Sequence, residues 1–578
     1  MIMKQAIDTL TRIWGELYPG ADPVLLRKFI DSLGKISAGI KLPEHKQEWY
    51  KDAVVYSLYV DLFNKDFQGL ESKLNYLQDL GVNCLWLLPI LDSPGRDAGF
   101  DISDYRSIRP DLLGLSRSSG REERAAVFAD FMQKAHERGI HVIFDIAINH
   151  TSIEHPWFVS ARESKESPYR DYYIWSDDDQ KYSDARIIFK GLCSSNWEKD
   201  GVQYFFHRFF EFQPDLNYRN PHVLLAMCEN LLYWLKLGVD GFRADAIPYL
   251  WKEEGTDCEN LPQTHLIVKF FRAVLDAVRP NTLLLAEACQ KPREVVKYFG
   301  NGDECHAGYH FPLMPQMFKA LSQQESEPIR HILSKEVTPE IPQASQWFTF
   351  LRCHDELSLE LVYVSEEDRK YIHDNYCRQD AWDFRQGQGI SARLAELLDR
   401  DPRKIALAYA MMLSLPGTPV IYYGDEFGKL NDEDYYNELI RLTGKDDTRF
   451  LVRGRIDWKT VEKEIRDEEG FAGKVYAAVR HMIKTRREYP SFGRGNLEML
   501  DIFDADGSEN KQVIGYYRTL RCGRLMILLN LSERDQTIRI PNARIRTYEK
   551  DILGQRPDIN YAEETIHLPA YAYHWFYI

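Results

Sequence analysis

Short apolar runs alternate with longer helical stretches along most of this 578-residue chain, and that alternation restricts the fold more than any other feature. The runs are "VVYSLYV" (54–60), "CLWLLPI" (84–90), "HVIFDIAI" (141–148), "GFRADAI" (241–247), "LLLAEA" (283–288), "FTFLRC" (348–353) and "PVIYYGDE" (419–426), with a weaker one at "AGYHF" (307–311). Between them, "LESKLNYLQDLG" and "RAAVFADFMQKAHERG" place apolar residues at helical spacing. A strand that is followed by a helix returns parallel through a right-handed crossover. Eight such units predict a closed (β/α)8 TIM barrel of α/β class rather than an open sheet.

Three segments fall outside that rhythm. Residues 1–48 carry two amphipathic helical patterns, "AIDTLTRIWGELY" and "PVLLRKFIDSLGKI", and read as an N-terminal helical extension. Residues 149–217, inside a catalytic barrel of 49–490, are too long for a loop after the third strand. Their aromatic-rich pattern predicts an inserted subdomain. From 491 to 578, "QVIGYY", "RLMILLNLS", "QTIRI" and "YAYHWFYI" predict a C-terminal antiparallel β-domain of sandwich type. There is no internal repeat.

The net charge is -15 and no long basic block occurs, so nucleic acid is not an expected partner. Nine scattered cysteines without a CxxC pair argue against a disulfide framework and for a reducing compartment. The N-terminus lacks the apolar core of a secretion signal, and no run of eighteen apolar residues is long enough to span a membrane. A soluble cytoplasmic protein is expected, with no organic cofactor. Oligomeric state is not readable.

Polar residues interrupt the apolar runs where the strands end. They are Asp145, Asn149 and His150 after the third, Arg243 and Asp245 on the fourth, Glu287 on the fifth, and His354 and Asp355 on the seventh. Barrel enzymes carry their chemistry at these ends. Charges in apolar runs need a partner or a task. Paired carboxylates with an arginine suggest attack on a glycosidic bond: one carboxylate attacks the anomeric carbon, and the other donates a proton to the leaving oxygen. Arg243 is suited to holding the nucleophile ionised. The structural alternative, ion pairs at strand ends, fits one such site better than four.

These motifs, "DIAINH" (145–150), "GFRADA" (241–246), "AEA" (286–288) and "CHD" (353–355), resemble in order those of the α-amylase family, glycoside hydrolase family thirteen. The resemblance covers roughly residues 50–578. It implies a retaining reaction with Asp245 as nucleophile, Glu287 as general acid/base and Asp355 as the residue that binds and distorts the sugar. His150, Arg243 and His354 would line the same subsite. Within the family, "QPDLNYRNP" (213–221), "DARIIF" (184–189) and "HFPLMPQMF" (310–318) look like trehalose synthases. "YVDLFNKDFQGL" (59–70), "KDDTRFLVRGRIDW" (445–458) and the helical extension look like amylosucrases, and "GTDCENLPQTH" (255–265) is similar to both. Cys289 and Cys353 stand where trehalose synthases usually have Asn. Phe100 replaces the usual Tyr of the sugar-stacking platform and lacks its hydrogen bond.

The resemblance supplies two further expectations. Asp97 in "DAGF" and Arg453 in "RGRIDW" match an acid and an arginine that bridge across the pocket floor in exo-acting members, which would admit only short non-reducing ends. Asn149, Asp215 and the carbonyl of Tyr249 or Leu250 match a calcium site between barrel and inserted subdomain. Lys252 stands where calcium-binding trehalose synthases have Glu, whereas oligo-1,6-glucosidases and amylosucrases also carry Lys. The expectation is no metal here, with Lys252 replacing calcium by pairing with Asp215 and carbonyls. The expected activity is cleavage or transfer of glucose on small α-glucosides, foremost maltose/trehalose interconversion with some hydrolysis. Amylosucrase-like use of sucrose, plain α-glucosidase or α-amylase action, and a non-catalytic sugar-binding role are the alternatives.

Overall fold

The structure is a computed structural model that describes residues 2–40, 45–188, 193–521, 523–541 and 551–578. Phe189 at the end of "DARIIF", Cys522 and residues 41–44 of the N-terminal segment lie outside the described residues. The eight described cysteines are all unpaired.

Eight parallel strands close into a barrel: β1 (Val55–Leu58), β2 (Cys84–Leu87), β3 (His141–Ala147), β4 (Gly241–Asp245), β5 (Leu283–Ala286), β6 (Ala307–Tyr309), β7 (Gln346–Phe350) and β8 (Thr418–Tyr422). Neighbours in sequence are neighbours in the barrel, and β8 closes it against β1 with Val55 beside Val420. Gly241 opens β4 because a Cβ there would meet the Leu283 side chain and carbonyl at 2.6 Å. Several strands are shorter than their apolar runs. The run through 247 stops at Asp245, where Ala246 turns into the left-handed region (φ 57°) and begins a 3₁₀ turn. The run through 426 likewise stops at Tyr422, before a 3₁₀ turn at Asp425–Phe427.

Two helices precede the barrel, α1 (Ile2–Leu17) and α2 (Pro23–Gly39). Asp22 caps α2 by accepting from the Val24 amide at 2.9 Å, and Pro23 starts the helix where no N–H is needed. The second packs on the barrel's outer helices α3 (Pro221–Lys236) and α4 (Pro262–Val278) and the first on α4, with Trp14 and Phe29 each 6.3 Å from the Phe270 ring. The Tyr18 hydroxyl donates to the Tyr218 carbonyl at 2.8 Å, and the Tyr218 hydroxyl donates in turn to the Ile148 carbonyl at 2.6 Å.

Within 149–217, strands Trp175–Ser176, Trp197–Asp200 and Gln203–Phe206 form a small antiparallel sheet beside the helix Pro156–Glu163. After the long helix α5 (Phe471–Glu488), the described residues form eight antiparallel strands in two four-stranded sheets. Val513, Met526, Leu528 and Phe576 of one sheet meet Ile538, Ile566 and Leu568 of the other in a shared core. Among the described residues no helix is long and apolar enough to cross a membrane.

Candidate active site

Side chains two apart on a strand share a face, so β4 sends Arg243 and Asp245 the same way, into the barrel mouth. Register places Asp145 of β3 directly beside Arg243. Arg243, 2 % exposed, is the hub. Its Nη1 lies 2.6 Å from Oδ1 of both Asp145 and Asp245, and its Nη2 pairs with Glu287. The Ala246 amide donates to the other oxygen of Glu287 at 3.2 Å. The left-handed turn that ends β4 therefore delivers both the nucleophile candidate and a donor for its partner.

Asp245 and Glu287 are both held by Arg243, which pairs with each. Burial and the Glu287 charge hold the Asp245 pKa well above the ordinary carboxylate range, against the opposing pull of Arg243. Burial also lifts Asp145 to about 7, although Arg243 and a 2.8 Å hydrogen bond from the Trp86 indole N–H oppose it. Asp355 is held the other way. Burial pushes its pKa up, but His354 and the guanidinium groups of Arg449 and Arg453 outweigh that and hold it well below the usual range. Burial lowers His354 to about 3, so its imidazole is neutral 3.1 Å from Asp355 Oδ2.

One cavity of about 180 Å³ is lined by Asp97, Phe100, His150, Arg243, Asp245, Glu287, His354, Asp355 and Arg453, together with Cys289 and Cys353. All nine expected catalytic and sugar-contacting residues therefore meet, although they are spread over more than 350 positions of sequence. The Phe100 ring stacks on His354 at 5.9 Å and lies 5.6 Å from the Arg243 guanidinium, a flat apolar wall beside the charged centre.

The expected Asp97–Arg453 bridge does not form: among the described residues no ion pair joins them. Arg453 turns instead to the β7 end, donating to the His354 carbonyl at 2.7 Å and to Asp355 Oδ1 at 2.8 Å. Asp97 accepts from the Gln213 side-chain amide at 3.0 Å. The nearer carboxylate and the carbonyl beside it give Arg453 two acceptors at once, which satisfies its planar fork better than one distant acid.

Arg449 is the residue the sequence reading missed. It donates to Asp355 Oδ1 at 3.2 Å and grips Asp447 with Nε and Nη2 at 3.0 and 2.7 Å. It sits in "KDDTRFLVRGRIDW", a short 3₁₀ stretch without periodicity. The one available signal was its spacing: four residues before Arg453, it can reach the same acceptor. Replacing it tests the clamp. In Arg449→Met the Asp355 pKa rises toward the ordinary range, so the acid limb of kcat/KM moves to higher pH and the optimum value falls roughly 10- to 100-fold. The sign is that of a depressed carboxylate: the stability that ionised Asp355 contributes is present above its unfolded pKa and is lost as pH falls through its folded value, earlier in the variant. pH–rate profiles and acid titration of both proteins measure it.

Two other quoted stretches meet at the rim. Arg186 donates through Nε to Glu259 at 2.7 Å, and Glu259 also accepts from buried Arg208 and from Gln290.

Matching with family models finds the alpha-amylase catalytic domain over residues 24–465. The chain belongs to the alpha-amylase family. Among its relatives are the trehalose synthase/amylase TreS of Mycobacterium tuberculosis, 39% identical over 91% of this chain and 90% of its own, and the trehalose synthase of Pimelobacter sp., 38% identical over 92% and 96%. A solved structure of similar fold is the trehalulose synthase MutB of Pseudomonas mesoacidophila MX-45 (TM-score 0.68, 23% identity, 93% of this chain and 100% of that one). As a member of this family the chain is a retaining glycoside hydrolase/transglycosylase.

Calcium, which the family resemblance brings into question, does not fit the residues here. The Lys252 ammonium, 3 % exposed, lies 2.7 Å from Asp215 Oδ2 and 2.9 Å from the Asn149 side-chain oxygen. It takes the oxygens that a cation would use, and its own charge repels one. The backbone carbonyls expected as its further partners are not among its contacts; the Asn149 amide oxygen takes that place.

Proposed function

We propose that this enzyme interconverts maltose and trehalose inside one pocket, with some hydrolysis. The single observation that carries the reading is the meeting of Asp245, Glu287 and Asp355 beside Arg243 at one cavity in the barrel mouth. The trehalose synthases among its relatives supply the choice of disaccharide.

The reaction runs in two displacements. In the reacting state Glu287 carries the proton to be donated and Asp245 is ionised beside Arg243. Glu287 gives that proton to the glycosidic oxygen while Asp245 Oδ attacks the anomeric carbon; the C–O bond to the leaving glucose breaks and a glucosyl ester forms. Arg243 and the Ala246 amide hold the Glu287 carboxylate left behind. The freed glucose turns over within the pocket. Its anomeric hydroxyl then gives its proton to Glu287 and attacks the ester carbon, which forms trehalose and releases Asp245. Attack by water gives two glucoses instead. Asp355, kept ionised by Arg449 and Arg453, accepts from the bound ring's hydroxyls and favours the positive charge that develops on it.

Incubation with maltose, trehalose or sucrose, followed by chromatography of the products, tests this. Maltose yields trehalose and trehalose yields maltose, each with a minor glucose peak. Turnover of sucrose alone, or glucose as the only product of maltose, rejects the reading.

A further inference from the structure

A second built cavity lies at the opposite end of the barrel. It measures about 390 Å³ and sits where the starts of β1, β2 and β3 meet the end of α5. Its lining carries Lys46, Lys51, Arg486, Arg487 and Arg494 against one carboxylate, Asp52. That is the reverse of the chain's own acidic balance.

The carboxylates nearby are already in use. Arg494 grips both oxygens of Asp52 at 2.7 and 2.9 Å, and Lys46 lies 3.3 Å from it. Glu48 is shared by Lys51 at 3.1 Å and Arg494 at 3.2 Å. Nothing anionic remains for the other two. Arg486, 4% exposed, donates only to the Leu413 and Gly417 carbonyls, and Arg487 donates to that of Gly81. Behind Arg486 stands Arg518, also buried and also bonded only to carbonyls, those of Ser414 and Gly495. Among the described residues no carboxylate lies within salt-bridge distance of Arg486, Arg487 or Arg518. Burying guanidinium groups side by side without a counter-charge is unfavourable. Burial and repulsion from Arg518 lower the Arg486 pKa to about 9, which reports the same deficit.

A metal is the wrong occupant. His45, His141 and Asp240 cluster beside the cavity, but Asp240 already accepts from His45, His136 and the Val142 amide, each at 2.8 Å, with Arg279 3.4 Å away. A cation would enter a site already rich in positive charge.

We propose that this basal cavity binds a phosphate group, free or carried on a small sugar, through Arg486, Arg487, Lys46 and Lys51. A phosphate dianion offers several acceptor oxygens to guanidinium forks and supplies the missing charge. The volume leaves room for an attached hexose.

Isothermal titration of the full chain at low salt, with inorganic phosphate and with glucose 6-phosphate as separate arms, tests this. Binding of millimolar strength or better is expected in at least one arm; tighter binding of the hexose phosphate identifies the sugar-borne source, and equal binding identifies free phosphate. Arg487→Gln weakens binding roughly tenfold. Lys46→Gln, whose side chain is 78% exposed and cannot disturb folding, weakens it by a smaller factor. Saturating maltose leaves the phosphate affinity unchanged, because the catalytic cavity is at the other end. The proposal is overturned by the absence of heat in both arms at about 10 mM ligand, by unaltered affinity in Lys46→Gln and Arg487→Gln, or by displacement with maltose.

Discussion

Asp245→Asn lowers kcat/KM on maltose by about 10⁴- to 10⁶-fold, the range found when a residue that acts within a catalytic unit is removed. The change is nearly isosteric, so the Arg243 hub keeps its place while the attacking oxygen becomes an amide. Asn cannot form the ester, and the second displacement has nothing to act on. The loss falls on hydrolysis and on isomerisation alike, since both pass through the same intermediate. Steady-state rates on maltose and trehalose, with circular dichroism to confirm folding, decide it. A variant that keeps more than about a hundredth of wild-type isomerisation would show that another group attacks.

Lys252→Met costs about 3–5 kcal/mol of stability, the usual effect of removing one partner from a buried ion pair. Methionine matches the lysine stem in volume, so the loss is electrostatic. Asp215 is wholly buried and, among the described residues, then keeps only the Arg208 amide, at 2.8 Å, as a donor. The double variant Lys252→Met with Asp215→Asn recovers part of the loss, because the stranded charge is gone. Urea unfolding followed by fluorescence measures both, and additive effects of the two changes would show that the pair is not coupled. Asn149 precedes His150 in the pocket wall, so the single variant also raises KM.

The barrel was legible because strand and helix leave different periods in the sequence, and because each strand that carries chemistry interrupts its apolar run at one end. Arg243, Asp245, Glu287 and Asp355 announced themselves as charges in apolar surroundings. Arg449 gave no such signal: it lies in a polar loop where charge is ordinary, and only the fold brings it to Asp355. The Asp97–Arg453 bridge failed for a related reason. Sequence matching aligns an arginine but cannot rank the acceptors within its reach, and Asp355 with the His354 carbonyl is the better set. Strand ends were overrun because the residues after Asp245 are as apolar as the strand itself, and the turn is a matter of one backbone angle at Ala246. Arg486 and Arg518 were invisible for the opposite cause. An arginine late in an amphipathic helix or on a C-terminal strand reads as a solvated face, and its burial here depends on the C-terminal sheet packing against the barrel, where Arg518 donates to the Ser414 carbonyl.

Tyr18 and Tyr218 give the N-terminal helices a mechanical office. Through two successive hydroxyl–carbonyl contacts, α1 reaches Ile148, the residue just ahead of Asn149 and His150. The outer bracket and the wall that carries Asn149 and His150 are thus tied by one hydrogen-bonded relay. A chain trimmed there keeps every reacting group but loses the anchor that Tyr18 gives to Tyr218.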